Sequence, residues 1–138
     1  MAQDRQHTLV RLKDTDLTVA PADDIRGLTV LDRDGEEIGS VDALVVDDTE
    51  RRVRFLEVGS GGFLGIGEEK RLIPVDAVAR VDDDGVRVDT TREAVAGGPA
   101  YDPDVVEYSP DDYGEYYGYF GYAPFWAPGY AYPGPFTR

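Results

Sequence analysis

Between residues 25 and 90, apolar residues occur in short runs, each bounded by glycine or acidic residues. Leu28-Thr29-Val30-Leu31 predicts a first short strand. Asp32-Arg33-Asp34-Gly35 follows as a turn, because glycine accepts the positive φ that hairpin turns need. A second strand is expected over residues 36–47. Gly39 inside it signals a bulge or a close backbone approach. Its second half, Val41 and Ala43-Leu44-Val45-Val46, is almost continuously apolar, as in a strand that is covered on both faces or curls into a barrel.

Asp48-Thr49-Glu50 reads as the next turn. The strand after it, residues 52–58, alternates partly, with Val53, Phe55 and Glu57 on one face and Arg54, Leu56 and Val58 on the other. A long glycine loop spans residues 59–67, and its Phe63, Leu64 and Ile66 suggest that it tucks back onto the body. Lys70 to Ile73 predicts a fourth strand stopped by Pro74, with one helical turn within residues 75–79. Arg80-Val81-Asp82 and Val86-Arg87-Val88, joined through Asp83-Asp84-Gly85, form a closing hairpin. Upstream, Leu9, Val10 and Leu12 predict one short strand or a packed arm in an otherwise polar leader. Short strands with glycine turns at this spacing predict an all-β fold, a small antiparallel barrel or sandwich.

The pattern changes near Gly97-Gly98-Pro99, which reads as a linker. All nine tyrosines and the only tryptophan lie beyond residue 100. That segment mixes Pro, Gly, acids and aromatics without a clean helical or strand period, and reads as a low-complexity tail. Thr91 to Ala96 predicts a short helix before it. Three parts are expected: an N-terminal leader over residues 1–22, a β domain over 23–95 and an acidic aromatic tail over 96–138. A β body of about 70 residues is marginal alone, so help from a partner, the leader or the tail is expected.

Charge narrows the possible partners. The formal net charge is −14, with −9 from residues 1–95 and −5 from the rest. Lys and Arg neutralisation of phosphates dominates nucleic-acid affinity, so direct DNA or RNA binding is disfavoured. Attraction to an anionic membrane surface is disfavoured on the same ground. The chain has no cysteine, which removes disulfides and thiolate chemistry. Neither a signal peptide nor an apolar run of membrane-spanning length is read. The expectation is a cytoplasmic protein.

Arg26-Gly27, the Asp34-Gly35 turn, Ile38-Gly39-Ser40-Val41, Val45-Val46-Asp47, Arg52-Val53-Arg54-Phe55-Leu56, Phe63-Leu64-Gly65-Ile66-Gly67 and Leu72-Ile73-Pro74-Val75-Asp76-Ala77-Val78 stand in this order. Together they resemble a PRC-barrel domain over roughly residues 23–90. The family includes the cytoplasmic domain of the photosynthetic reaction-centre H subunit and the C-terminal part of a ribosome-maturation factor. The resemblance implies a small β-barrel, commonly homodimeric or docked to a larger partner, and no catalytic residues. The H-subunit branch expects a membrane anchor and the ribosome-maturation branch a second, N-terminal barrel. Neither is read here, which leaves the stand-alone branch.

No enzymatic constellation emerges. The glycine loop lacks the Gly-x-x-x-x-Gly-Lys-Ser/Thr spacing of a phosphate loop: Lys70 follows Glu68-Glu69 with no Ser or Thr next. Asp47-Asp48, Asp82-Asp83-Asp84 and Asp111-Asp112 lack the ligand spacing of a dedicated Ca²⁺ loop and read as solvated turns. His7, the single histidine, has no partner for a triad or a metal. No metal or cofactor is expected. The tail is the unusual chemistry: Tyr and Trp combine apolar area with a polar tip and dominate interface hot spots. Tyr116, Tyr119, Phe125, Trp126 and Tyr130 are the candidate partner-binding residues, with a partner protein, a second copy or the barrel itself as what they grip. The functional expectation is a non-enzymatic interaction or assembly module, self-associating as a homodimer or docking a partner. The alternative is an accessory factor in RNA processing or ribosome assembly that acts through a protein partner.

Overall fold

A computed structural model describes residues 9–12, 24–47, 52–60, 69–99, 101 and 110–132 of the chain. Seven strands form one sheet: β1 (Leu9–Leu12), β2 (Thr29–Leu31), β3 (Glu37–Asp47), β4 (Arg52–Ser60), β5 (Glu69–Pro74), β6 (Val78–Asp82) and β7 (Gly85–Val88). Two helices follow, α1 (Arg92–Ala96) and α2 (Pro110–Phe120), and a 3-10 turn, Val75–Ala77, separates β5 from β6. The strands and turns thus lie close to where the apolar pattern puts them. The glycine loop beyond Ser60, the turn at 48–50 and His7 lie outside the described residues.

The strand order is β5-β4-β3-β2-β7-β6, with β1 paired alongside the end of β3. One ladder corrects the antiparallel expectation: β2 and β7 run parallel, Val30 opposite Val86 and Leu31 opposite Arg87. The fold is mostly β, and its sheet is mixed. A parallel pair needs a long connection, and here everything between β2 and β7 serves as one.

The two ends of this six-strand path are consecutive in sequence. Laid flat, five strand spacings would separate them by about 24 Å. The short connection from Pro74 to Val78 reaches at most about 14 Å. The sheet must therefore curl, giving barrel-like curvature, although no ladder joins β5 to β6 among the described residues.

β3 carries both halves of this geometry. Its first part pairs with β2 and its last four residues with β1, Leu9 opposite Asp47 and Leu12 opposite Leu44. Gly39 is there for contact: a Cβ at this position would lie 1.9 Å from the Gly59 carbonyl oxygen. Gly35 closes the β2–β3 turn at φ 88°. In that turn the buried Asp32 carboxylate accepts the N–H groups of Asp34 and Glu36, and also that of Arg92 at the start of α1, each at 2.9 Å. Thr91 caps the same helix through its side chain, which accepts the Ala94 N–H at 3.0 Å.

Two apolar clusters occupy the two sides of the curled sheet. Val30, Val41, Leu44, Val46, Val53, Leu56, Val58 and Ile73 belong to the larger one. Val45, Phe55 and Leu72 belong to the other, together with Tyr101, Tyr113, Tyr116, Tyr117 and Phe125. The continuous burial of β3 follows from this double cover. Val53 does not share a face with Phe55: the ladder slips so that Val46 opposes Val53 while Val45 opposes Phe55. Arg54 is the extra residue, a β-bulge that re-aims a side chain.

Candidate docking site

Segment 110–132 corrects the reading of a tail without helical period. Tyr113, Tyr116, Tyr117 and Phe120 recur at helical spacing on α2. The first three are buried, and Phe120 packs against the larger cluster. Phe55 of β4 is their hub, with ring centroids 5.5 Å from Tyr113, 6.0 Å from Tyr116 and 4.8 Å from Tyr117. Two glycines and several aromatics give α2 a poor intrinsic helix propensity, so packing against the sheet supplies its stability.

The five aromatic candidates divide. Tyr116 and Phe125 are buried in the aromatic cluster, and Trp126 and Tyr130 are half-buried against it. Trp126 stands edge-on to Phe125 and Tyr117, at 5.0 and 5.8 Å. Tyr119 is 44 % exposed, and its hydroxyl donates to the Ala94 carbonyl at 2.7 Å, tying α2 to α1.

Charged groups join the same contact. Arg54 is buried, and its guanidinium pairs with the buried Asp47 carboxylate at 3.2 Å. Asp47 is thus no solvated turn residue. The guanidinium carbon also lies 4.1 Å from the Phe125 ring centroid, 5.7 Å from that of Tyr132 and 5.9 Å from that of Tyr130. A desolvated cation over aromatic faces is held by about 2 kcal/mol. The bulge in β4 therefore places Arg54 and Phe55, neighbours in sequence, against the same aromatic segment. Neither residue stood out in the sequence, and the bulge has no local signature there.

Asp76, on the 3-10 turn, faces Tyr130 and the Arg54 charge. Burial holds its carboxyl above the usual range, although the Tyr130 hydroxyl and Arg54 oppose that shift. The two side chains influence each other without a well-formed bond between them: the Asp76 Oδ1 and the Tyr130 hydroxyl are both buried without a hydrogen bond. The Tyr117 hydroxyl is also buried and unsatisfied; the Phe125 N–H lies near it without completing a bond. Burial, reinforced by the Asp76 charge, pushes both phenols above their ordinary range.

Arg52, Arg54, Phe125, Tyr130 and Tyr132 line an open groove of about 610 Å³. β4 supplies the arginines and the C-terminal segment supplies the rings. No group of three or more His, Cys, Asp or Glu side chains is placed to hold a metal among the described residues. No described helix is long and apolar enough to cross a membrane.

The PRC-barrel domain model matches residues 18–95, more than half of the chain. The chain belongs to the PRC-barrel family. A comparison with curated proteins gave no match. The matched span of this PRC-barrel protein ends before α2, so all three rings of the groove lie outside it while both arginines lie within it. PRC-barrel domains are generally non-catalytic and often mediate protein interactions.

Proposed function

We propose that this PRC-barrel protein is a non-enzymatic protein-interaction module. The barrel, residues 23–95, is the platform. The segment after it, within residues 96–138, supplies the docking surface, and residues 1–22 lead into the first of these. The observation that carries this reading is the composite groove, built from Arg52 and Arg54 of β4 and from Phe125, Tyr130 and Tyr132. Arginine and tyrosine are the residue types in which binding energy concentrates at interfaces. Of the five aromatic candidates, Phe125 and Tyr130 act through the groove wall, Tyr116 and Trp126 by anchoring that wall, and Tyr119 at the surface. Self-association as a homodimer uses the same face.

Affinity capture and sedimentation with the full chain test the proposal, comparing wild type with the Tyr130→Ala/Tyr132→Ala double variant. These changes leave the Phe55 hub with Tyr113, Tyr116 and Tyr117 intact. Loss of the captured partner or of the dimer, with unchanged circular dichroism, is expected. An unchanged captured set and sedimentation coefficient would overturn the reading. An accessory role in RNA processing or ribosome assembly would run through a protein partner and would show itself in the identity of what is captured.

A further inference from the structure

The two arginines of the groove are differently committed. Arg54 is buried and paired with Asp47. Arg52 is exposed, and its guanidinium carbon lies 4.3 Å from the Tyr132 ring centroid. Among the described residues its guanidinium makes no hydrogen bond or ion pair. A guanidinium carries several N–H donors, so one held over a ring keeps donors for a carboxylate. Because Tyr132 already restrains it, less side-chain entropy is lost when a ligand pairs with it. Beside it the groove offers the rings of Phe125, Tyr130 and Tyr132 in a volume suited to a few residues of peptide.

We propose that this groove recognises a short extended segment of a partner protein that carries one carboxylate side chain next to a proline or aromatic residue. The carboxylate pairs with Arg52, and the apolar neighbour lies along the tyrosine and phenylalanine rings. This rests on the interaction-module reading and narrows it to one side-chain chemistry. Charge complementarity selects the occupant. A nucleic-acid strand brings a phosphate with every nucleotide into the field of a chain of net charge −14, and one exposed arginine does not neutralise such a run. A single carboxylate meets a single oriented fork. A lysine-rich segment is drawn by the net charge of the chain, but inside the groove it would set its own cations against Arg52.

The test uses the full chain and an array of blocked hexapeptides containing Pro-Tyr-Glu-Pro, with the Glu replaced in parallel by Gln, phosphoserine or Lys. Binding is followed by Trp126 fluorescence. The Glu peptide should bind about tenfold more tightly than the Gln peptide, as expected for a charge-assisted bond. Arg52→Gln should abolish that preference while leaving the circular dichroism unchanged. Arg52→Glu should reverse it in favour of the Lys peptide. Equal binding of Glu and Gln peptides, stronger binding of the phosphoserine peptide, or no binding to the array would overturn the proposal. Affinity capture separates the two levels. If Arg52→Gln captures the same partner as wild type, the carboxylate site is wrong and the interaction module stands. If wild type neither captures a partner nor self-associates, the module itself is wrong.

Discussion

Replacing Tyr117 separates the two things that this side chain does. Its ring packs 4.8 Å from Phe55, 5.8 Å from Trp126 and 6.4 Å from Phe125. Its hydroxyl is buried without a hydrogen bond. Tyr117→Phe keeps every ring contact and removes the orphaned oxygen. Leaving such a group buried costs about 1–3 kcal/mol, while the void left by one oxygen costs about 0.3 kcal/mol. The variant should therefore be more stable than wild type by about 1 kcal/mol, or about 4 °C in Tm for a chain of this size. Tyr117→Ala removes the ring as well and should cost about 3–5 kcal/mol. The assay is thermal unfolding followed both by far-ultraviolet circular dichroism, which reports the sheet, and by Trp126 fluorescence, which reports the aromatic contact. A Tm lowered by about 4 °C or more in Tyr117→Phe would mean that the hydroxyl has a partner. A Tyr117→Ala protein with both signals unchanged would mean that the segment does not rest on the sheet.

Other expectations follow from single contacts. Gly39→Ala drives a methyl group into the Gly59 carbonyl and should destabilise by about 3 kcal/mol, measured by urea unfolding; a loss too small to resolve would show that the two strands do not approach so closely. Asp32→Asn turns an amide N–H toward either the Arg92 N–H or the hairpin N–H groups and should cost about 1–3 kcal/mol. Burial alone would raise the Asp32 carboxyl, but its backbone hydrogen bonds outweigh burial and hold it below the ordinary value of 3.8. Its contribution is thus present above that value and lost as the pH falls through the lower folded-state value, so the deficit of Asp32→Asn should shrink in acid. Asp76 behaves oppositely, because burial raises its carboxyl. Asp76→Asn should match wild type below pH 4 and become the more stable protein as the pH rises through the folded-state value; a variant less stable than wild type at neutral pH would refute this.

Much of the sheet was legible because its signals are local. Gly39, the Asp32–Gly35 turn, Pro74 and the Thr91 cap each leave a mark within a few residues. What was not legible depends on distant partners. The parallel ladder of β2 and β7 is selected by the curl of the sheet, and no pattern in either strand announces it. The bulge at Arg54 puts one residue out of step inside a run that otherwise alternates. α2 did carry a sign, the spacing of Tyr113, Tyr116, Tyr117 and Phe120, but two glycines, three acids and a further tyrosine, Tyr119, off that face masked its period. The groove needed both failures resolved at once, since one of its arginines, Arg54, is the bulge residue of β4 and its rings follow α2.

The six-strand path from β5 to β6 has two ends, and the sheet treats them differently. At one border β5 ends in Pro74, which has no N–H to offer, and both helices pack against the strand. At the other, β6 is interrupted where Val78 opposes Val88 and Arg80 opposes Arg87, leaving Ala79 out of register beside an exposed arginine. A bulge and an exposed cation are the usual means of discouraging a neighbouring chain from extending a sheet. Copies of this protein should therefore not lengthen each other's sheet through either of these two ends.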